Sequence, residues 1–273
     1  MRGEFVDLGG ARLYYYAAGS RGEGEPVVFL HGFPTSSHLW SEVVPLMPPG
    51  HRLVIVDLLG YGRSDRPAGR PVGVRGHAER VVQLLDTLGI ARACLVGHDV
   101  GGGVAQLVAV RWPHRVTRLC LINAIGFDQW PTREVKLARA MLPLTRHLPP
   151  TWLLSVLRAD LLRGYVAHDR GVHSIERYVK PFAGPDGRDA LVEHLLALDA
   201  AETAAVAPRL KDVLAPTAVV CGAHDPFVPG DVARRLHESI PGSTLDVIAD
   251  ARHFTPEESP EQVAEVLGNL LSR

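Results

Sequence analysis

The strongest constraint on the fold of this chain is the alternation of short apolar runs with longer segments of helical periodicity. The apolar runs have the composition of buried strands and cover residues 26–30, 52–56, 93–96, 118–122, 217–221 and 245–248. Helical patterns occur between or after these runs, at about 74–88, 101–111, 232–239 and 261–270. This alternation predicts a mostly parallel sheet that helices cover on both faces. In such a sheet the chemistry lies beyond the carboxyl ends of the strands.

Two segments depart from the alternation. Residues 4–7 and 12–17 flank a Gly-Gly turn and predict an opening β-hairpin. Residues 126–211 have helical periodicity and many prolines but no strong strand run. We interpret them as a helical cap inserted into a core domain of residues 1–125 and 212–273; the alternative is that these helices belong to the main layer. The cap is rich in leucine, which indicates a hydrophobic small-molecule ligand.

Composition and charge exclude several classes of protein. The 273 residues are 46% hydrophobic and 22% charged, as in packed globular proteins. A net charge of −1 provides no basic excess for nucleic acid, and no apolar run approaches the ~20 residues that cross a bilayer. The N-terminus has no apolar signal-peptide core, and the cysteines lie in apolar runs, so we expect a cytoplasmic protein without disulfides. No nucleotide fingerprint or metal-ligand cluster occurs in the sequence, and we expect no cofactor or metal.

One short motif carries the strongest chemical signal. Residues 97–102 read Gly-His-Asp-Val-Gly-Gly and lie between the predicted strand at 93–96 and the helix that follows. Glycines around one reactive residue permit a tight strand-to-helix turn, which would expose the Asp99 side chain near a helix N-terminus. Backbone N–H groups and the helix dipole favour negative charge there. Taken alone, Asp99 is also compatible with an ordinary helix N-cap.

Further motifs follow other predicted strands. They are His-Gly-Phe-Pro at 31–34, an Asp-Leu-Leu-Gly-Tyr-Gly-Arg-Ser-Asp loop at 57–65, Gly-Ala-His-Asp-Pro at 222–226 and Ala-Arg-His-Phe at 251–254. Together with the motif at 97–102 they resemble the α/β-hydrolase family, in particular its branch with an aspartate nucleophile, which includes epoxide hydrolases and dehalogenases. The order of nucleophile, acid and histidine is the one found in that family.

The resemblance implies an α/β-hydrolase fold with a mostly parallel sheet, flanking helices and an inserted helical cap. It implies that Asp99 is the nucleophile, Asp225 the triad acid and His253 the triad histidine. The backbone N–H groups of Phe33 and Val100 would form the oxyanion hole. Position alone leaves two ordinary alternatives, a turn residue before a proline for Asp225 and a surface histidine for His253.

The residue types themselves restrict the reaction. An aspartate is already ionised at neutral pH, so Asp99 needs no base in order to attack. Attack on an ester would give a high-energy anhydride, whereas attack on a saturated carbon gives an ordinary alkyl ester. His253 would then take a proton from the water that hydrolyses this ester, and Asp225 would hold the imidazole in its tautomer. We therefore expect a substrate with an electrophilic saturated carbon.

The leaving group remains open at this stage. Haloalkane dehalogenases of the family carry an Asn and a Trp where this chain has Phe33 and Val100, so epoxide opening is favoured over halide release. Tyr165 and Tyr178 of the cap are candidates to polarise the epoxide oxygen. Further pocket candidates are His31, Trp40, His98, Trp130 and Trp152. The alternatives are dehalogenation, ester or C–C bond hydrolysis with Asp99 as acid–base, and a non-catalytic ligand-binding role.

Overall fold

A computed structural model of the chain describes residues 3–19, 24–145 and 149–273. These residues form an eight-stranded sheet in the order β1-β2-β4-β3-β5-β6-β7-β8. Its strands are β1 (Glu4–Asp7), β2 (Arg12–Gly19), β3 (Val27–Leu30), β4 (Arg52–Val56), β5 (Ala93–His98), β6 (Val116–Ile122), β7 (Thr217–Gly222) and β8 (Thr244–Ile248). The predicted fold class, an α/β fold with a mostly parallel sheet flanked by helices, is confirmed.

The direction of each strand follows from its connection. β1 and β2 form the predicted antiparallel hairpin, and β2 also pairs antiparallel with β4. From β4 to β8 all neighbours are parallel. Every residue of β3, β5 and β7 is buried, which is why these strands appear in the sequence as continuous apolar runs.

Helices pack on the sheet, in connections between its strands and after the last strand. They are α1 (Val74–Thr87), α2 (Val100–Arg111), α3 (Arg133–Thr145), α4 (Pro150–Leu162), α5 (His168–Val179), α6 (Pro185–Ala197), α7 (Ala200–Val206), α8 (Gly230–Ser239), α9 (Thr255–Glu258) and α10 (Pro260–Leu271). The helix α2 is buried along its length except at Arg111 and contacts α1, β5 and β6. A helix that is apolar on all sides belongs in an interior, so α2 gives the turn before it a rigid support.

The segment between β6 and β7 contains α3 to α7, in agreement with its predicted helical character. Its assignment as a separate cap domain stays a prediction. No helix in the described part of the chain has both the length and the apolar character that a membrane span needs. The three cysteines are buried and free.

Candidate active site

The nucleophile candidate lies in the sharp turn between β5 and α2. Asp99 has φ 50° and ψ −119°, a backbone conformation that an L-residue rarely adopts. The neighbouring glycines are required by close backbone contacts: a Cβ at Gly97 would collide with the carbonyl of Gly101, and one at Gly101 would collide with the carbonyl of Leu30. A Cβ at Gly32 would collide with the Asp99 carboxylate. The glycines of both motifs therefore bring the loop after β3 against this turn.

The Asp99 carboxylate is held by the two predicted oxyanion-hole donors. The Phe33 N–H donates to Asp99 Oδ2 at 2.9 Å, and the Val100 N–H also bonds the carboxylate. Burial raises the pKa of Asp99 to about 6, although the charge of His253 and both N–H groups favour the ionised form. The N–H donors and His253 thus offset only part of the effect of burial. Asp99 is nevertheless ionised at neutral pH.

Asp225 and His253 form the second half of the site. His253 Nδ1 lies 2.9 Å from Asp225 Oδ2, and both side chains are buried. Burial alone would raise the pKa of Asp225, but His253 and several hydrogen bonds lower it. Burial likewise would lower the pKa of His253, but Asp225 and, more weakly, Asp99 raise it above 6.5. Asp225 therefore contacts Nδ1 of His253 and leaves Nε2 of the ring for proton transfer.

Several positioning groups could not be found from sequence motifs. Asn123 follows β6 and donates to Asp225 Oδ2 at 2.8 Å, while the N–H groups of Phe227 and Val228 donate to Asp225 Oδ1. The His253 N–H donates to the carbonyl of Gly164 in the cap at 3.1 Å. The only available signal for Asn123 is its place directly after a strand, where site residues concentrate.

Asp99 and His253 line the same cavity, which has a volume of about 300 Å³. Most of its other lining residues are apolar side chains of the segment between β6 and β7, including Val135, Leu153, Leu157, Leu161, Leu191 and Leu195. Polar groups are few: besides Asp99 and His253, the described lining includes only Thr132, Glu134 and Asp160. Burial raises the pKa of Asp160, although Arg163, whose Nη1 lies 2.7 Å from Asp160 Oδ1, opposes this. No lysine or arginine belongs to the described lining.

Of the other pocket candidates, only Trp130 lines the cavity. Its indole N–H donates to Thr203 Oγ1 at 2.6 Å and is not available to a departing halide. Trp40 is buried beside Phe29 outside the cavity lining, and Trp152 is about half exposed. The prediction that these two residues line the pocket is therefore wrong.

The two remaining candidates, His31 and His98, are structural. His31 Nε2 accepts a hydrogen bond from the Leu58 N–H at 2.9 Å, which ties the loops after β3 and β4 together. His98 Nε2 lies 2.9 Å from the carbonyl of His253. Burial lowers the pKa of His98 to about 3, so the ring is neutral and donates through Nε2. His98 thus supports the backbone of His253 from behind the cavity.

The predicted role of the cap tyrosines is contradicted by their contacts. Tyr165 donates to Glu257 Oε2 at 2.6 Å, and Tyr178 donates to Glu257 Oε1. Neither tyrosine lines the cavity with Asp99. Both are fully buried next to Phe254, where their hydroxyls need an internal acceptor and the Glu257 carboxylate supplies it. Through Glu257 they join the segment between β6 and β7 to α9, outside the cavity that contains Asp99.

Comparisons with known proteins agree with this geometry at the level of the fold. A family model described as alpha/beta hydrolase fold matches residues 25–260. A 2-hydroxy-6-oxononadienedioate/2-hydroxy-6-oxononatrienedioate hydrolase of Klebsiella pneumoniae is 28% identical, over 98% of this chain and 94% of its own. Haloalkane dehalogenase 2 of Mycobacterium bovis is also 28% identical, over 96% and 92%. The solved structure of the epoxide hydrolase CorEH is 24% identical and superposes with a TM-score of 0.86, covering 99% of this chain and 98% of its own.

Proposed function

Since the chain belongs to the alpha/beta hydrolase fold family, we propose that it is a hydrolase in which Asp99 attacks a saturated carbon of a neutral, hydrophobic substrate. The substrate class that we propose is an epoxide, and the product is the corresponding diol. The reaction passes through a covalent ester between substrate and Asp99.

The observation that carries this proposal is that Asp99 occupies its own oxyanion hole. Its carboxylate already accepts the N–H groups of Phe33 and Val100. A hydrolase that attacks a substrate carbonyl needs those donors for the substrate oxygen. Here they are engaged by the nucleophile, as is required when the enzyme's own ester is the species that water attacks. The arrangement therefore favours an alkyl-enzyme intermediate over acyl transfer.

In the first step a carboxylate oxygen of Asp99 forms a bond to an epoxide carbon, and the bond from that carbon to the ring oxygen breaks. The resulting alkoxide takes up one proton. In the second step His253 removes a proton from water, and the hydroxide attacks the carboxyl carbon of Asp99. The N–H groups of Phe33 and Val100 hold the oxyanion that forms. When the tetrahedral intermediate collapses, the second alkoxide leaves with the proton from His253. The carboxylic acid that remains on Asp99 then loses its proton, which replaces the proton taken up by the first alkoxide, so that epoxide plus water gives diol.

The polar lining of the cavity favours an alkoxide over a halide as the leaving group. Glu134 and Asp160 are carboxyl groups, and as carboxylates they repel a departing halide. A protonated carboxyl group can instead donate a proton to an alkoxide. Asp160 is the group we assign to this step because its pKa is raised by burial and its helix lies over the same cavity as Asp99. Asp160 takes the role for which Tyr165 and Tyr178 were the candidates in the sequence analysis.

A second candidate function comes from the relatives named as hydrolases of 2-hydroxy-6-oxo acids. Such a substrate carries at least one carboxylate. The described cavity lining contains Asp99, Glu134 and Asp160 but no lysine or arginine. Arg163, outside that lining, pairs with Asp160 and Glu134, so an anionic substrate meets Asp99 without a cation of its own in the lining. This electrostatic mismatch is the reason that we place a neutral substrate first.

The test is to trap the ester. We expect His253→Gln, incubated with styrene oxide, to accumulate an adduct of the mass of the substrate on the peptide that contains Asp99. His253→Gln/Asp99→Asn should give no adduct, and His114→Gln, a change of an exposed histidine, should turn over like the unaltered protein. In ¹⁸O water, repeated turnovers of the unaltered protein should place label in the Asp99 carboxylate.

The same experiment discriminates the alternatives. An adduct with 2-phenylethyl bromide but not with styrene oxide would identify a dehalogenase. Turnover of a 2-hydroxy-6-oxo dienoate without any adduct would support acid–base chemistry by Asp99. If no substrate of any of these classes is turned over and no adduct forms, the chain is a ligand-binding member of its family.

A further inference from the structure

A second, polar groove lies where the cap meets the core. It has a volume of about 780 Å³, and its lining residues differ from those of the cavity above Asp99. Core residues from the hairpin and from the loops after β3 and β4 form one wall. The other wall is the end of α5 and the turn that follows it, with Arg177 and Lys180. The core wall includes Arg63 and Arg66.

These four cations are not neutralised by their neighbours. Among the described residues none of them forms an ion pair with a carboxylate. The acidic residues adjacent to them in the sequence have other partners: Asp65 pairs with Arg12, and Glu176 pairs with Arg158. The groove therefore concentrates positive charge on a chain whose net charge is −1.

One carboxylate, Asp57, lies beneath the groove and reduces this charge only in part. It is buried and accepts the N–H groups of Ser37 and Arg63 at 2.7 and 2.8 Å. Burial and the charge of Arg177 lower the pKa of His38, which lines the groove as a neutral ring. Counting these groups, the groove keeps an excess of positive charge.

The groove also supplies neutral hydrogen-bond donors. Arg63 Nη1 donates to the hydroxyl oxygen of Tyr14 at 2.6 Å, so the Tyr14 proton is free to be donated elsewhere. Burial, with the charge of Asp57, raises the pKa of Tyr16 to about 12 and keeps that hydroxyl protonated. Nε of Arg66 is buried and has no hydrogen-bond partner in the part of the chain that the structure describes. A buried guanidinium nitrogen without an acceptor is costly unless a ligand satisfies it.

We propose that this groove binds a small multivalent oxyanion, with phosphate esters or diphosphates as the chemical class. Guanidinium groups bind the oxygens of a phosphate in pairs, and the tyrosine and serine hydroxyls of the groove add neutral donors. The groove is independent of the proposed chemistry at Asp99, because the two sites share no lining residue.

Occupancy of the groove has a consequence for the cap. Two of the cations belong to the cap and two to the core, so their mutual repulsion opposes the docking of the cap. An anion between them replaces this repulsion with attraction on both sides. Binding should thus stabilise the docked cap and raise the thermal stability of the protein.

The test is calorimetric titration with inorganic pyrophosphate, with tricarballylate as the carboxylate counterpart. We expect saturable binding of pyrophosphate that weakens as salt is raised. The double variant Arg177→Gln/Lys180→Gln should lose affinity at least about tenfold, because two charge-assisted contacts are removed. The matched control Arg209→Gln/Lys211→Gln makes the same change of charge on residues outside the groove and should stay within about twofold.

Thermal unfolding without ligand provides the second readout. Because the double variant removes repulsion between cap and core, we expect its Tm to equal or exceed that of the unaltered protein. A lower Tm, an equal loss of affinity in the control, or the absence of saturable heat with pyrophosphate would each overturn the proposal. Saturable binding of tricarballylate but not of pyrophosphate would overturn the assignment to phosphates.

Discussion

Replacing Asp99 with Asn should stabilise the protein at alkaline pH and not at acid pH. Burial raises the pKa of Asp99 from 3.8 to about 6 in the folded chain. A pKa raised on folding means that this side chain favours the fold below 3.8, and that its contribution is lost as the pH rises through about 6. At 1.36 kcal/mol for each pH unit, the loss amounts to roughly 3 kcal/mol. An Asn of the same shape carries no charge and avoids it.

The assay is urea unfolding of both proteins at about pH 4 and about pH 8, read as the difference in free energy of unfolding between them. Between these two pH values we expect the free energy of unfolding of Asp99→Asn to rise by about 2 kcal/mol relative to that of the unaltered protein. This is less than the full loss because the pKa of Asp99 in the unfolded chain lies just below the lower pH, so part of the loss has already occurred there. Asp186→Asn, an exchange at an exposed carboxylate, is the matched control and should leave the difference flat. A flat difference for Asp99→Asn itself would refute the assignment of Asp99 as a desolvated, ionised carboxylate.

Further predictions concern the reaction. Tyr165→Phe and Tyr178→Phe should each lower the free energy of unfolding by about 1 kcal/mol through a lost hydrogen bond, which urea unfolding measures. Each should change the rate of ester formation, measured by stopped-flow, by less than about twofold. A hundredfold loss of that rate would instead support a polarising role for the tyrosine. Asp160→Asn should slow ester formation from an epoxide by about a hundredfold and leave ester hydrolysis unchanged, which single-turnover kinetics separates. Ester formation needs ionised Asp99, whose pKa is about 6, whereas ester hydrolysis needs neutral His253, whose pKa is raised above 6.5. The ester should therefore accumulate as the pH falls from about 8 towards 6.5. Mass spectrometry of quenched samples would contradict this if the ester fraction declined instead.

The fold was largely predictable because its strands are buried on both faces. Continuous apolar runs such as 93–96 reflect that burial directly, and the hairpin is marked by its Gly-Gly turn. What periodicity did not locate was the short helix α9 (Thr255–Glu258), because a single turn is shorter than the period needed to recognise it. The strongly amphipathic α5 was recognisable as helical, but its pattern did not indicate the element against which its buried face packs.

The candidate site divides in the same way. Asp99, Asp225 and His253 were located because each follows a strand, and the carboxyl ends of parallel strands meet at one edge of the sheet. The tyrosines could not be placed, since their orientation depends on Glu257, which is 92 residues from Tyr165 and 79 from Tyr178 along the chain. A buried carboxylate that satisfies two hydroxyls leaves no local pattern in the sequence.

The contacts of the cap also bear on how the two halves of the reaction are coupled. The carbonyl of Gly164 accepts a hydrogen bond from the His253 N–H, and a Cβ at Gly164 would lie 2.7 Å from Phe254 and 2.8 Å from Phe227. The turn between α4 and α5 therefore rests directly on the segment that carries His253. Asp99, by contrast, is positioned by core elements alone, through Phe33 and Val100. In the proposed reaction, displacement of the segment between β6 and β7 would thus impair both steps: ester formation through the loss of Asp160 from the cavity, and ester hydrolysis through the loss of the contact at His253.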